Sequence, residues 1–151
     1  MPARLRCGRS YCHGFPGNGS HGANQGSAPH LTSAKDTDFT AKLLDVHPDG
    51  RAINLTDGIL RLRYREGLER QVLAEPGRVY AITIDAGVTN NVFRTGHRIR
   101  VEIASSNFPR FERNLNTGGA FGIESKGQPA EQTLYTGKDH ASHIMLPVIP
   151  Q

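Results

Sequence analysis

The feature that most constrains the fold is a two-residue alternation of apolar and polar residues in short stretches after residue 36. In the clearest stretch, Arg98–Ser105, Ile99, Val101 and Ile103 share one face, and charged residues occupy the other. Glycine- and proline-containing turn signals separate the stretches, and none of them has the 3.6-residue period of a helix. This pattern predicts an all-β domain built as a sandwich or a barrel.

The same reading places the other strands and turns. It predicts turns at 47–50, at Asp57-Gly58 and at 75–77. Within 59–65 it assigns Arg61, Arg63 and Arg65 to a solvent-facing side. The remaining predicted strands are Phe39–Val46, Ala52–Thr56, Ile59–Tyr64, Val79–Ala86, Gln132–Tyr135 and His143–Val148.

Residues 1–34 differ in character from residues 35–151. Gly, Ser, Pro, His and Asn dominate this segment, and its apolar residues follow neither structural period. Such a stretch buries too little apolar surface to offset its ordering entropy, so we predict disorder. The segment resembles a transit peptide in lacking acidic residues, but it has no amphipathic helical pattern. The abrupt change of composition near Lys35 also fits a non-native segment that was translated from a shifted reading frame.

The charge distribution argues against a nucleic-acid partner. The chain has 18 basic and 14 acidic residues, but four of the basic residues and none of the acidic ones lie in 1–35. The rest is therefore neutral and has no excess charge to attract a polyanion. An apolar run long enough to cross a membrane is absent, and Cys7 and Cys12 are the only cysteines. We expect no membrane association, no cofactor and a cytoplasmic location.

Two ordered motifs resemble the C-terminal domain of the CocE/NonD hydrolases, which X-prolyl dipeptidyl-peptidases share. The first is DTDFTAKLLDV at 36–46, continued by PDGRA at 48–52 and LTDG at 55–58. The second is ASSNFPRF at 104–111, continued by RN at 113–114 and NTG at 116–118. Residues 140–150 are also similar to the last strand of that family, so the resemblance runs from about residue 33 to the end.

The resemblance implies a jelly-roll sandwich of the galactose-binding-like type, of which 35–151 would be the latter part. The family's catalytic serine, acid and histidine belong to a separate α/β-hydrolase domain, so no catalytic residue is carried over to this chain. The implied role is a non-catalytic domain that braces the hydrolase domain and its cleft in an enzyme that cleaves esters, amides or X-Pro peptides. Alone, the chain should be inactive, because the catalytic domain is absent from it. It should also be prone to self-association, because strands preceding Asp36 would be missing and would leave an open sheet edge.

Other candidate sites in the sequence are weak. The stretch Asn18–Gly22 lacks the first glycine and the preceding strand of a nucleophile elbow. Residues 139–143 contain every triad residue type but lie too close together along one strand to form a triad. Structural zinc sites usually have two pairs of closely spaced ligands. The first segment lacks this spacing among its possible ligands, which are Cys7, Cys12, His13, His21 and His30.

Aromatic residues suggest two further interpretations. Asn107–Phe111 interleaves aromatic rings with Arg, but the neutral charge favours Phe108 and Phe111 as core anchors of a long loop, with its asparagines capping turns. Tyrosines could instead line a sugar-binding surface, which would make the chain a free-standing carbohydrate-binding jelly-roll module. Packing is the favoured role for those tyrosines, which are Tyr64, Tyr80 and Tyr135.

Overall fold

A computed structural model describes residues 3–5, 10–12, 20–136 and 142–147, with side chains described from residue 30 onward. Within these ranges the regular structure is nine β-strands and one turn of 3₁₀ helix, Leu62–Tyr64. The strands are β1 Ala3–Leu5, β2 Ser10–Cys12, β3 Ser20–Thr32, β4 Asp38–Val46, β5 Ala52–Arg61, β6 Val79–Asn91, β7 Arg98–Ala104, β8 Gln132–Leu134 and β9 His143–Met145.

The strands form two antiparallel sheets. One has the order β1-β8-β3-β6, with β9 paired to β3 alongside β8. The other has the order β2-β7-β4-β5. This confirms the predicted all-β class, whereas the jelly-roll winding stays a prediction. Within the described ranges, no helix has the length and apolar character needed to cross a bilayer.

The hydrophobic core lies between the two sheets. Phe39 of β4 is fully buried and meets Ile82 and Ile84 of β6, which are 3% and 2% exposed. On β6 the intervening Ala81 and Thr83 are exposed, so the predicted alternation of this strand is confirmed. Each sheet therefore contributes one apolar face to the core, as expected for a sandwich.

Strand β7 follows the predicted alternation only in part. Ile103 belongs to the core and Val101 packs against it. Arg100 and Glu102, however, are half-buried rather than fully exposed. The reason is that β7 lies between β2 and β4 in its sheet, so neighbours flank it on both sides.

The prediction of a turn at Asp57-Gly58 is wrong, because β5 continues through both residues. Gly58 is buried where β5 approaches β6, and a Cβ atom there would lie 1.9 Å from the carbonyl oxygen of Asp85. The Thr56 hydroxyl donates a hydrogen bond to the Ala86 carbonyl at the same point. Glycine is thus required for the close approach of two edge strands rather than for a change of chain direction.

The turn predicted after β4 is confirmed. The His47 N–H donates to the Arg51 carbonyl at 2.8 Å, and the Gly50 N–H donates to the His47 carbonyl at 2.9 Å. Gly50 has a φ of +89°, which a residue with a side chain rarely adopts. Hydrogen bonds from the backbone N–H and then the guanidinium of Arg51 lower the pKa of Asp49 below its ordinary value.

Strand β3, like β1 and β2, falls within residues 1–34, the segment for which we predicted disorder. Its backbone pairs with β6 from Ser20 opposite Asn91 to Leu31 opposite Val79. Backbone pairing does not need an apolar period, because each residue other than proline carries its own N–H donor and C=O acceptor. The structure therefore differs from the expected disorder at 3–5, 10–12 and 20–32. The domain boundary at residue 34 and a foreign origin of the segment stay predictions.

Candidate functional site

A long loop, residues 105–131, connects β7 to β8 and contains the second family-like motif. It has no strand of its own. Two clusters of polar side chains fasten it to the sheet that contains β4 and β5. These clusters involve residues of both motifs, although the motifs are far apart in the sequence.

The first cluster is centred on a buried ion pair between Asp36 and Arg63. Asp36 is fully buried and Arg63 is 5% exposed. The Arg63 Nε donates to Asp36 Oδ2 at 2.7 Å, and its backbone N–H donates to Oδ1 at 3.0 Å. The Arg63 Nη2 also donates to the Gly119 carbonyl at 2.9 Å. One side chain thus joins the segment before β4 to the long loop.

A second pair, Asp38 and Arg61, lies beside the first. The guanidinium donates two hydrogen bonds to the carboxylate, at 2.8 and 3.0 Å. Asn114 of the long loop links the two pairs, since its Nδ2 donates to Asp36 Oδ2 and to Asp38 Oδ1, each at 2.9 Å. The bidentate geometry and the shared amide satisfy charges that would be costly to bury alone.

These pairs overturn the prediction that Arg61 and Arg63 point into water. Strand β5 ends at Arg61, and the 3₁₀ turn at Leu62–Tyr64 breaks the period-two alternation. Leu62 and Arg63 are consequently both buried, although they are adjacent in sequence. Residues that alternate along a strand would have faced opposite sides.

An aromatic ring and a cleft complete this region. Phe121 of the long loop lies over the guanidinium of Arg61, with 3.4 Å between the Arg61 Cζ and the ring centroid. A ring over a cation is an attractive arrangement. The adjacent cleft has a volume of about 220 Å³, and Arg63, Asn114 and Phe121 line it together with Phe108.

The second cluster is centred on Asp57 of β5. Asn107 Nδ2 donates to Asp57 Oδ2 at 2.8 Å, and Arg110 Nε donates to Oδ1 at 3.0 Å. The side chain of Asp57 is 8% exposed. The Phe108–Pro109 peptide bond between these two donors is cis. The start of the long loop is therefore held by charge-assisted hydrogen bonds.

The prediction that Phe108 anchors the loop in the core is wrong, since this residue is 61% exposed. Polar side chains provide the anchoring instead. The predicted capping by asparagine is confirmed at two positions, because Asn114 Oδ1 accepts from the Asn116 N–H and Asn116 Nδ2 donates to the Gln128 carbonyl. Asn107 binds the Asp57 side chain rather than a backbone group.

Of the other sequence candidates, the structure describes the side chains of Ser142, His143 and His30, and these have separate surroundings. Asp139 and His140 lie outside the described residues, and Ser142 donates to the Tyr135 carbonyl. His143 is exposed, and His30 lies in the core with its ring centroid 4.2 Å from that of Phe39. Cys7 and His13 also lie outside the described residues, and for Cys12 and His21 only the backbone is described.

The tyrosines favour packing over sugar binding. Tyr80 packs against the core, and its hydroxyl accepts a hydrogen bond from the Glu75 N–H. The guanidinium of Arg65 covers its ring at 4.4 Å from the centroid. Tyr64 is half-buried in the 3₁₀ turn. A stacking platform for sugars needs an open ring face, which Arg65 occupies at Tyr80.

The buried ion pairs were missed at the level of sequence, although a signal was present. Asp36, Asp38 and Asn114 all belong to the two motifs that resemble a known family. Acidic residues at the start of a buried strand need partners, and the nearby arginines were the available cations. The alternating pattern of 59–65 concealed this pairing because it assigned the arginines to solvent.

Comparisons with known proteins agree with this architecture. Residues 31–145 match the X-Pro dipeptidyl-peptidase C-terminal non-catalytic domain. A cocaine esterase of Rhodococcus sp. (strain MB1 Bresler) is 53% identical over 120 residues, which cover 78% of this chain and 21% of the esterase. An α-amino acid ester hydrolase structure superposes with a TM-score of 0.82 at 27% identity, covering 93% of this chain and 25% of that one.

A second solved structure, an aminopeptidase from a marine sediment Thaumarchaeota archaeon, has a TM-score of 0.83 at 25% identity, over 94% of this chain and 25% of that one. The fold and the family match together define a non-catalytic β-sandwich domain of hydrolases. The chain belongs to the X-Pro dipeptidyl-peptidase C-terminal domain family, as found in CocE/NonD-type hydrolases. It spans about a fifth of the length of the curated relatives that it matches.

Asn114→Ala tests whether the amide stabilises the two buried pairs. The change removes one charge-assisted hydrogen bond from each of Asp36 and Asp38. We expect the free energy of unfolding to fall by about 2–3 kcal/mol, measured by urea denaturation. Asn90→Ala, at an exposed position on β6, is the control and should change it by less than about 0.5 kcal/mol. Equal effects of the two substitutions would show that Asn114 has no linking role.

Proposed function

We propose that this domain braces the α/β-hydrolase domain of a larger serine hydrolase and forms one wall of its cleft through the long loop. The family is non-catalytic, and the relatives are several times longer than this chain. The partner is thus the catalytic part of the same protein. The bracing role assigns no chemical step to this chain. We also propose a cytoplasmic location, which the absence of cysteine after Cys12 supports.

The observation that carries the proposal is an exposed apolar surface on a firmly anchored loop. Phe108, Phe121 and Ile123 are 61%, 40% and 79% exposed. Large apolar side chains clustered on one segment are typical of contact surfaces. The same surface is a reason to expect self-association of the chain when its partner is absent.

The anchoring explains why such a loop suits a rigid interface. Arg63 and Asn114 connect it to buried carboxylates, and Asp57 holds its first residues. A loop that is already ordered loses little conformational entropy when it contacts a partner. The ion pairs therefore serve to present the apolar side chains in a fixed arrangement.

A chimera provides the test. Residues 31–145 of this chain would replace the matching segment of the Rhodococcus cocaine esterase, and ester hydrolysis and thermal inactivation would be followed. Because Phe108→Asp and Ile123→Asp place a charge in the proposed interface, we expect each to shorten the inactivation half-life at least about tenfold. Val88→Asp, at a residue of β6 that is 72% exposed, is the matched control and should have little effect.

Two results would contradict the bracing role. One is that Phe108→Asp and Ile123→Asp inactivate no faster than Val88→Asp. The other is that the separate chain binds simple sugars in a calorimetric titration, as the free-standing carbohydrate-binding module would. The chimera therefore tests the interdomain surface, and the titration of the separate chain tests the independent binding module.

A further inference from the structure

Three potential metal ligands meet at the end of the β4–β5 sheet, away from the long loop. Asp45 is the penultimate residue of β4, and His47 follows that strand directly. His97 directly precedes β7. The long loop leaves β7 at its other end, after Ala104. Seven residues of strand separate the two regions, a distance of about 20 Å at ~3.3 Å per residue.

The strand register explains why these side chains meet. Val46 of β4 pairs with Arg98 of β7, so the next positions outward are His47 and His97, opposite one another. Asp45 lies two residues before His47, and side chains two apart in an extended chain share a face. All three side chains consequently project to the same side of the sheet end.

The distances confirm that the three groups converge. The His97 Nδ1 lies 2.9 Å from Asp45 Oδ1 and 3.0 Å from Oδ2. The ring centroids of His47 and His97 are 4.3 Å apart. One ligand atom from each of the three residues lies within 4.8 Å of the others, and all three residues belong to the described part of the chain.

We propose that Asp45, His47 and His97 bind a divalent transition-metal ion of the zinc type. Imidazole nitrogen and carboxylate oxygen are ligands that Zn²⁺ prefers. Neighbouring ligand atoms of tetrahedral zinc are about 3.3 Å apart, so small side-chain rotations bring this set into range. Three protein ligands leave one position for water.

Burial of the carboxylate favours this assignment. The side chain of Asp45 is 8% exposed and that of His97 is 11% exposed. A divalent cation between them would neutralise a carboxylate that water reaches poorly. Gly96 and Pro48 also lie close together, since a Cβ atom on Gly96 would be 3.4 Å from Pro48 Cγ. The ion would therefore clamp the β4–β5 turn to the β6–β7 turn.

The experiment is a metal titration of the full chain without a purification tag, after removal of metals by EDTA and dialysis. Zinc binding is measured by calorimetry, and cobalt(II) absorption reports the coordination number. Since Cys7 and Cys12 are also potential ligands, all three proteins compared, the reference chain and its two histidine variants, carry Cys7→Ser and Cys12→Ser. His47→Gln is the diagnostic variant because it leaves the Asp45–His97 pair in place. His143→Gln, at an exposed histidine, is the matched control.

We expect one zinc ion per chain, an affinity at least about tenfold lower in His47→Gln, and no change in His143→Gln. Zinc should also raise the melting temperature of the control but not of His47→Gln, which gives a readout independent of calorimetry. The absence of saturable one-to-one binding, or equal affinities of His47→Gln and His143→Gln, would overturn the proposal and leave Asp45 and His97 as an ion pair alone.

Discussion

Arg63→Met is expected to lower the free energy of unfolding by about 3–5 kcal/mol, the cost typical of breaking a buried ion pair on one side. Methionine fills much of the volume of the aliphatic stem but leaves Asp36, which is fully buried, without its guanidinium. It also removes the hydrogen bond to the Gly119 carbonyl, so the long loop loses an anchor. Chemical denaturation followed by circular dichroism measures the change.

The control for this substitution is Arg78→Met. Arg78 and Glu75 form an ion pair whose side chains are 60% and 72% exposed. Exposed pairs contribute little, so the expected change is within about 1 kcal/mol. If the two substitutions destabilise the domain equally, burial does not determine how much the Asp36–Arg63 pair contributes to the free energy of unfolding.

A large loss of stability is also expected from Gly58→Ala, although the change adds a single methyl group. The new Cβ would overlap the carbonyl oxygen of Asp85 at 1.9 Å and lie 2.8 Å from the Ala86 Cα. Both contacts are with backbone, so relief requires β5 and β6 to separate. We expect a loss of about 3 kcal/mol or more, at the upper end of the range for overpacking.

Gly50→Ala separates this steric effect from a general loss of glycine. Gly50 lies in an open turn, where an added Cβ meets no atom within 4 Å. Its positive φ alone should cost about 1–2 kcal/mol. Thermal melts of both variants give the comparison. If the Gly58→Ala protein is as stable as the Gly50→Ala protein, β5 and β6 have room between them for a methyl group, contrary to the 1.9 Å contact with the Asp85 carbonyl oxygen.

Local patterns were sufficient to predict the class of the fold and several of its elements. The alternation in β6 correctly identified Ile82 and Ile84 as buried. Successive side chains of a strand point to opposite faces, so residues two apart share a face. The turn after β4 was predictable because proline presets its own φ, and aspartate and glycine tolerate the reversal of the chain. The two ordered motifs likewise indicated the family that the comparison of residues 31–145 identifies.

The candidate site was less predictable, because its contacts join residues distant in the sequence. Asp36 binds Arg63 across 27 positions and Asn114 across 78. No periodicity measured within one strand encodes such partners. The 3₁₀ turn after Arg61 also breaks the alternation that assigned Arg63 to solvent.

The sequence by itself determined the all-β class, the inward face of β6 and the turn at Gly50, since each depends on the order of neighbouring residues. The tertiary structure alone decided that Arg63 is buried, that Gly58 admits a close contact between strands, and that His47 lies opposite His97. The physical reason is that each of these features depends on how segments distant in the sequence pack or pair with one another. The convergence of His47 and His97, for example, follows from the pairing of β4 with β7.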